Sequence, residues 1–297
     1  MIQFLTFLTG VVLAIMISIN GNLSNVYGVF WATAIIHIVG SLVALVPCIL
    51  QKDRKPLSRY GPKWIYLGGV LGVFTTVANN LATQYISITS ILALGLMGQT
   101  IAALCIDSFG LFGMQKVVFK KKSFLGFVFA IFGICMMIDL KAMTSLLGVF
   151  ISLCAGISVV LSRTVNARLA NHIGGLRGAL VNHLVGIPSS ILVALILAGR
   201  FPTEAISVTP SNLWMYIGGA MGVCVVFLCN TTVPKIPAFQ NTILTFVGQM
   251  LTGVIIDAWM GKSFMDRSFV GGLIVAVGIV INMIVDRYIS KGEVKIE

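Results

Sequence analysis

Charge is what this sequence holds least of. Asp and Glu together number 9, and charged residues make up 10% of the 297-residue chain, against roughly 25% in an ordinary soluble domain. So few charged groups cannot clothe the water-facing surface that a soluble fold of this size must keep. Histidine is scarcer still, at 3. Neither His37 nor His183 has a second metal-ligating residue at i+3 or i+4, the spacing that sets two ligands on one helix face, so no metal site is expected. The 6 cysteines (Cys48, Cys105, Cys135, Cys154, Cys224, Cys229) lie in apolar stretches without a CxxC pair, which reads as packing rather than redox chemistry. No P-loop occurs, which argues against ATP-driven pumping, and no cofactor is expected. Polar sequence long enough for a soluble domain is absent too, so an aqueous catalytic module is excluded and the chain is not expected to be an enzyme.

In place of these features stands apolar sequence, 58% of all residues, with a mean hydropathy of +1.01. A helix crosses a bilayer with roughly 20 apolar residues. Ten such runs are present, at 2–19, 29–50, 64–86, 88–112, 123–138, 143–162, 176–198, 213–233, 238–260 and 268–285. The expected fold is therefore an all-α integral membrane protein of ten transmembrane helices, with the lipid bilayer as its main partner. The first run lacks a basic leading region and a small-residue cleavage site, so it reads as a retained helix.

The net charge of +11 is a topology signal rather than a nucleic-acid footprint. Counting connections alternately, 16 of the 20 Lys and Arg residues fall on one side. They are Lys52, Arg54, Lys55, Arg59, Lys63, Lys116, Lys120, Lys121, Lys122, Arg163, Arg168, Arg177, Lys235, Arg287, Lys291 and Lys295. Only Lys141, Arg200, Lys262 and Arg267 fall on the other. Cytoplasmic loops are enriched in Lys and Arg, which places both termini in the cytoplasm of a multi-pass inner-membrane protein.

The chain repeats itself. An offset of 146 sets Asn20 on Asn166, Leu23 on Leu169, Gly28 on Gly174, His37 on His183 and Gly40 on Gly186. An offset of 150 sets Trp64 on Trp214, Tyr66 on Tyr216, and Gly68, Gly69 and Gly72 on Gly218, Gly219 and Gly222. It also pairs Asn80 with Asn230, Gly98-Gln99 with Gly248-Gln249, and Asp107 with Asp257. With an offset of 145, Gly126 meets Gly271 and Gly133 meets Gly278. The chain therefore divides into a first five-helix repeat, 1–140, and a second, 141–297. Five crossings are an odd number, so the second copy enters the membrane from the opposite side and the repeat is inverted. Inverted repeats are a construction of secondary transporters, whose substrates sit near the midplane at the repeat interface. A passive channel, or a membrane-embedded enzyme acting on lipid-linked substrates, are the other readings; the second would need a clustered polar constellation that the scattered residues do not offer.

The segments Asn20-Gly21-Asn22-Leu23, Gly98-Gln99 and Asp107-Ser108-Phe109-Gly110 resemble the bacterial YdcZ-like branch of the drug/metabolite transporter superfamily. The second copy reads Asn166-Ala167-Arg168-Leu169, Gly248-Gln249 and Asp257-Ala258-Trp259-Met260-Gly261, departing from the pattern by a Trp and one inserted residue. The resemblance covers the whole chain as two fused five-helix units and implies export of small metabolites.

Polar groups inside a bilayer are costly, so those present are the candidates for function. Gln99 and Gln249, near mid-helix, offer donor and acceptor together and are expected to bind substrate with Asn80 and Asn230. An interhelical hydrogen bond is their structural alternative. Asp107 and Asp257, with His37 and His183, are the expected proton-coupling groups, although a boundary Asp also orders a turn and a lone His is often a bonded core residue. Asn20, Asn22, Asn79 and Asn166 read either as a polar vestibule or as helix stops. Trp64, Trp214, Tyr66 and Tyr216 read as interface aromatics. The paired glycines have spacing for close helix packing, and Pro234 and Pro237 end a helix. Arg163 and Arg168 stand where the first copy has Ile17 and Asn22, as the positive-inside rule requires. With both copies on one chain, a monomer or a homodimer acting on a small-molecule substrate is expected.

Overall fold

Apolar runs in a bilayer must satisfy their backbone groups internally, so helices are the only economical form for them. The computed structural model describes residues 1–51, 56–57, 61–86, 88–117, 124–138, 145–203, 212–259, 270–275, 277–278 and 281. Among the described residues nine α-helices can be followed: α1 Ile2–Tyr27, α2 Val29–Leu50, α3 Gly68–Ala82, α4 Ile88–Phe109, α5 Phe124–Met137, α6 Leu146–Ile173, α7 Gly175–Leu197, α8 Ile217–Thr232 and α9 Ala238–Trp259. Short 3₁₀ turns at Lys63–Tyr66 and Leu213–Tyr216 lead into α3 and α8. Residues 270–275 are helical too, inside the tenth apolar run, most of which lies outside the described residues. So do Lys52, Arg54, Lys55, Arg59, Lys120, Lys121, Lys122, Lys141, Lys262, Arg267, Arg287, Lys291 and Lys295.

Among the described residues, 7 helices are long and apolar enough to cross a membrane. Their outer faces are apolar: Leu42, Val46, Leu192 and Ile196 are 58–70% exposed. In water such a surface would drive association; against lipid it is at rest.

Two boundaries differ from the hydropathy reading. The polar residues after position 19 suggested that the first run stops at Asn20, and its copy at Asn166. Instead α1 continues to Tyr27 and α6 to Ile173, leaving Asn20, Asn22 and Asn166 inside helices. The stops are Gly28 and Gly174, with φ of 73° and 91°, a region that side chains with a Cβ avoid.

Packing is exchanged between the two halves of the chain. α1 lies on α9 and α8, while α4 and α3 lie on α6; α2 and α7 pack on each other. Lipid gives no hydrophobic drive between helices, so small residues that let backbones close in must hold them. Gly10 of α1 fits against the Thr245 carbonyl of α9, and Gly248 of α9 against the Phe7 carbonyl of α1. At matched positions Gly156 of α6 faces the Gly95 carbonyl of α4, and Gly98 faces that of Leu153. The glycine of each Gly-Gln pair is thus a helix-crossing residue.

Two ends of the bundle follow. At one, Ile65 packs with Leu169 and Ile173, Trp64 meets Phe112 at 5.4 Å, and the start of α9 meets the end of α4. Lys63, Lys116, Arg168 and Lys235 belong to this basic end. At the other, Tyr27 and Trp31 close on Met215 and Phe201, and the Tyr27 and Tyr216 hydroxyls are 2.6 Å apart.

A Cβ at Gly98 or Gly248 would strike backbone, which cannot yield as a side chain does. Gly98→Ala and Gly248→Ala are each expected to cost about 1–3 kcal/mol, measured as lower melting temperatures in detergent. Gly72, with nothing within 4 Å of its would-be Cβ, is the control: Gly72→Ala should melt no lower than the parent.

Candidate functional site

The α2–α7 crossing brings together the histidines that the repeat had only aligned. His37 and His183 face each other edge-on, ring centroids 5.2 Å apart. Each ring lies on the other helix's glycine, His183 on Gly40 and His37 on Gly186. A side chain at either glycine would fill the ring's place. His37 Nδ1 and both nitrogens of His183 are buried without a hydrogen-bond partner among the described residues. The His183 ring adjoins Gly222 of α8, which Met16 of α1 also approaches, so the pair stands where elements of both halves converge. Two imidazoles do not make a metal centre, and no group of three or more metal-ligating side chains occurs among the described residues.

Asp107 has a specific partner. The residue before α9 is Pro237, whose carbonyl accepts the first bond of the helix, from Asn241 N–H. Proline offers no side-chain acceptor for the free amides of the first turn. Asp107, reaching across from the end of α4, supplies both: Oδ1 accepts from Ala238 N–H at 2.7 Å and Oδ2 from Phe239 N–H at 2.8 Å. A carboxylate at a helix N-terminus also meets the positive end of the helix dipole. The Asp107 carbonyl accepts from Val117 N–H at 2.8 Å, folding the segment after α4 back alongside. A small cleft remains beside Asp107, Gln115, Lys235 and Pro237. Asp257 lies in α9, and its side chain is outside the described residues.

Gln99 and Gln249 occupy matched places on α4 and α9, half-buried. Neither amide has a hydrogen-bond partner among the described residues, and no bond joins them. Asn230 is buried, and its amide donates to the Gly175 carbonyl at 2.9 Å while its Oδ1 stays unpartnered. Asn80 is half-buried and donates only to the Thr76 carbonyl one turn back, at 3.4 Å. Asn166 donates to Asn182 Oδ1 at 2.8 Å and packs on Gly68; Asn20 packs in the same way on Gly218, its Oδ1 buried and unpartnered. These asparagines sit against the entry turns of α3 and α8 and do not stop their own helices.

Sequence reasoning overlooked one feature. Ser18, Gly21, Asn22 and Asn25 lie on one face of α1, and all are exposed. Spacings of three and four within an apolar helix were the signal, hidden because Asn22 was weighed as a helix end. It also assigned Arg163 to a loop flank, whereas Arg163 lies in mid-α6 with one guanidinium nitrogen buried and unpartnered among the described residues.

Asp107→Ala would strip α9 of its cap, leaving two buried amides unpaired at about 1–3 kcal/mol each. Thermal unfolding should register the loss, with Asp107→Asn losing less because one acceptor oxygen remains. An unchanged melting temperature for Asp107→Ala would show that the cap carries no stability.

A family model described as "Putative inner membrane exporter, YdcZ" matches residues 1–136 and again 147–281. Among 28 matching chains of known structure, one crystal structure superimposes with a TM-score of 0.69 at 13% identity, covering 97% of this chain and 97% of that one. At that identity the likeness is one of fold. No curated protein sequence matches the chain.

Proposed function

The chain belongs to the YdcZ-like branch of the drug/metabolite transporter superfamily, as two fused units, and from that membership we propose that it exports a small polar or amphipathic organic molecule by alternating access. Membership makes it a multi-pass transporter of the inner membrane. The finer reading has ten spans in two inverted five-helix repeats, 1–140 and 141–297, with both termini in the cytoplasm and the basic end of the bundle facing it.

One observation carries the reading. Helix pairs at matched repeat positions make matched contacts, α1–α9 with α4–α6 and α1–α8 with α3–α6, even to the glycines at the crossings. A pseudo-two-fold axis in the membrane plane produces that exchange, and it lets one architecture serve as both inward- and outward-open forms.

The substrate site in this reading lies between the halves, with Gln99 and Gln249 as its principal hydrogen-bonding groups and Asn80 and Asn230 near its two mouths. Open amide valences suit a ligand that brings its own donors and acceptors, since an unfilled buried amide is otherwise costly. For proton coupling the pair His37 and His183 is the stronger candidate. Imidazole is the side chain whose ordinary titration lies nearest neutral pH, while both oxygens of Asp107 are already engaged. Asp107 then serves chiefly to join the halves, and Asp257 is the matched group of the second copy. A passive channel is the competing reading; only a carrier shows trans-stimulated exchange in proteoliposomes.

Screening metabolites by thermal shift on the purified protein tests the site. A true substrate should raise the melting temperature of the parent, and Gln99→Ala or Gln249→Ala should weaken its binding about tenfold, the scale of one lost buried hydrogen bond. Stabilisation that survives both substitutions would move the site elsewhere.

A further inference from the structure

Inverted copies allow the two ends of the bundle to be compared residue by residue, and they are not in the same condition. At the basic end α6 closes on α8: Thr164 and Ala167 are each 1% exposed, and Val225, Cys229 and Val233 of α8 are 8%, 4% and 3% exposed. Val12, Leu13 and Met16 of α1 pack onto the same cluster. The repeat offsets carry Thr164 and Ala167 to Ser18 and Gly21 of α1, and Val225, Cys229 and Val233 to Thr75, Asn79 and Thr83 of α3. At this opposite end the matching contact, α1 with α3, is not closed. Ser18, Gly21 and Thr83 are exposed, and Thr75 and Asn79 are partly so. α1 and α3 make no contact comparable to that of α6 with α8. Gly21 and Gly72 face open space, whereas Gly222, the match of Gly72, is buried against the His183 ring.

The exposed face of α1 is also the wrong face for lipid. Ser18, Asn22 and Asn25 present a hydroxyl and two amides, the Asn22 amide donating to the Ser18 carbonyl one turn back, and hydrocarbon is a poor neighbour for such groups. Water, lipid headgroups or α3 can cover them, and in this structure α3 does not.

We propose that the structure is the state open at the Tyr27 end, and that Thr75 and Asn79 of α3 close onto Ser18, Gly21 and Asn22 of α1 in the alternate state. That closure is the counterpart of the α6–α8 contact now formed. The inference rests on the inverted-repeat reading and extends it to the substrate. The gate now closed is largely apolar, made by Ala167, Val225, Cys229 and Val233 with the Thr164 hydroxyl. The open gate is built from hydroxyls and amides without a charged side chain among Ser18, Asn22, Thr75 and Asn79, so its closure needs hydrogen bonds to replace those made to water. A ligand bridging α1 and α3 supplies them. The matching class is an uncharged molecule rich in hydroxyl or amide groups, and a multiply charged ion would find no counter-charge on this wall.

The gate can be tested without knowing the substrate. The protein keeps Cys229, has its other five cysteines replaced by alanine, carries Gly21→Cys with Asn79→Cys, and is oxidised in proteoliposomes. The Gly21→Cys/Asn79→Cys pair is expected to cross-link. Once it does, Cys229 should react roughly tenfold faster or more with a maleimide supplied on the basic face, because closing one end must open the other. In a separate protein, Ala167→Cys is expected to cross-link to Cys229 in the state described, leaving Asn79→Cys reactive from the opposite face. This second variant keeps the test alive if the first does not fold. Failure of the Gly21→Cys/Asn79→Cys pair to cross-link in folded protein would overturn the proposal. So would a cross-link that leaves Cys229 protected, or an Ala167→Cys protein in which Asn79→Cys is unreactive. Thermal shifts that depend on Gln99 would stand in each of those cases, so failure of the gate is distinguishable from failure of the transport reading.

Discussion

A bilayer removes the force that assembles soluble proteins, because lipid tails are as apolar as leucine. What remains is dispersion and weak polar contact, both of which fall off steeply with distance. The bundle depends on this constraint. Its long contacts, α1 with α9 and α4 with α6, are made where glycine lets backbone touch backbone. Gly10 and Gly248 form one crossing and Gly98 and Gly156 the other. Each crossing joins a helix of the first half to one of the second, so the same atoms that hold the fold hold the halves together. Asp107 adds a polar fastening at the basic end, where its carboxylate completes a helix that proline leaves uncapped.

From that frame the unequal ends acquire meaning. Rigid glycine crossings near mid-helix leave the helix ends as the parts able to separate. α6 and α8 meet at one end while α1 and α3 stand apart at the other. The histidine pair lies between these regions, with the His183 ring against Gly222. Gln99 and Gln249 adjoin the crossings themselves, half-buried at matched places.

Much of this was legible in the sequence, for a physical reason. Apolar length reports membrane crossings because the bilayer sets the scale, and rare polar residues recurring in order report a duplication. Matched His37 and His183, or Gly98 and Gly248, could be read in this way before any geometry was known. Alignment states equivalence, though, and equivalence is not contact. Nothing in the spacing indicated that the two histidines face each other, or that Asp107 reaches the first turn of α9. Helix ends were misplaced at Asn20 and Asn166 because hydropathy falls there while backbone hydrogen bonding continues to Gly28 and Gly174. The difference between the ends was not readable at all, since two matched copies predict matched ends.

Every step from repeat to gate assumes that the two units lie in contrary senses across the bilayer. Lys63 and Arg200 are exposed, one after α2 and the other after α7, and single cysteines there report sidedness directly. Sealed vesicles of known orientation, treated with a membrane-impermeant maleimide, should label Lys63→Cys from the cytoplasmic face and Arg200→Cys from the outer face. Labelling of both from one face would contradict the account.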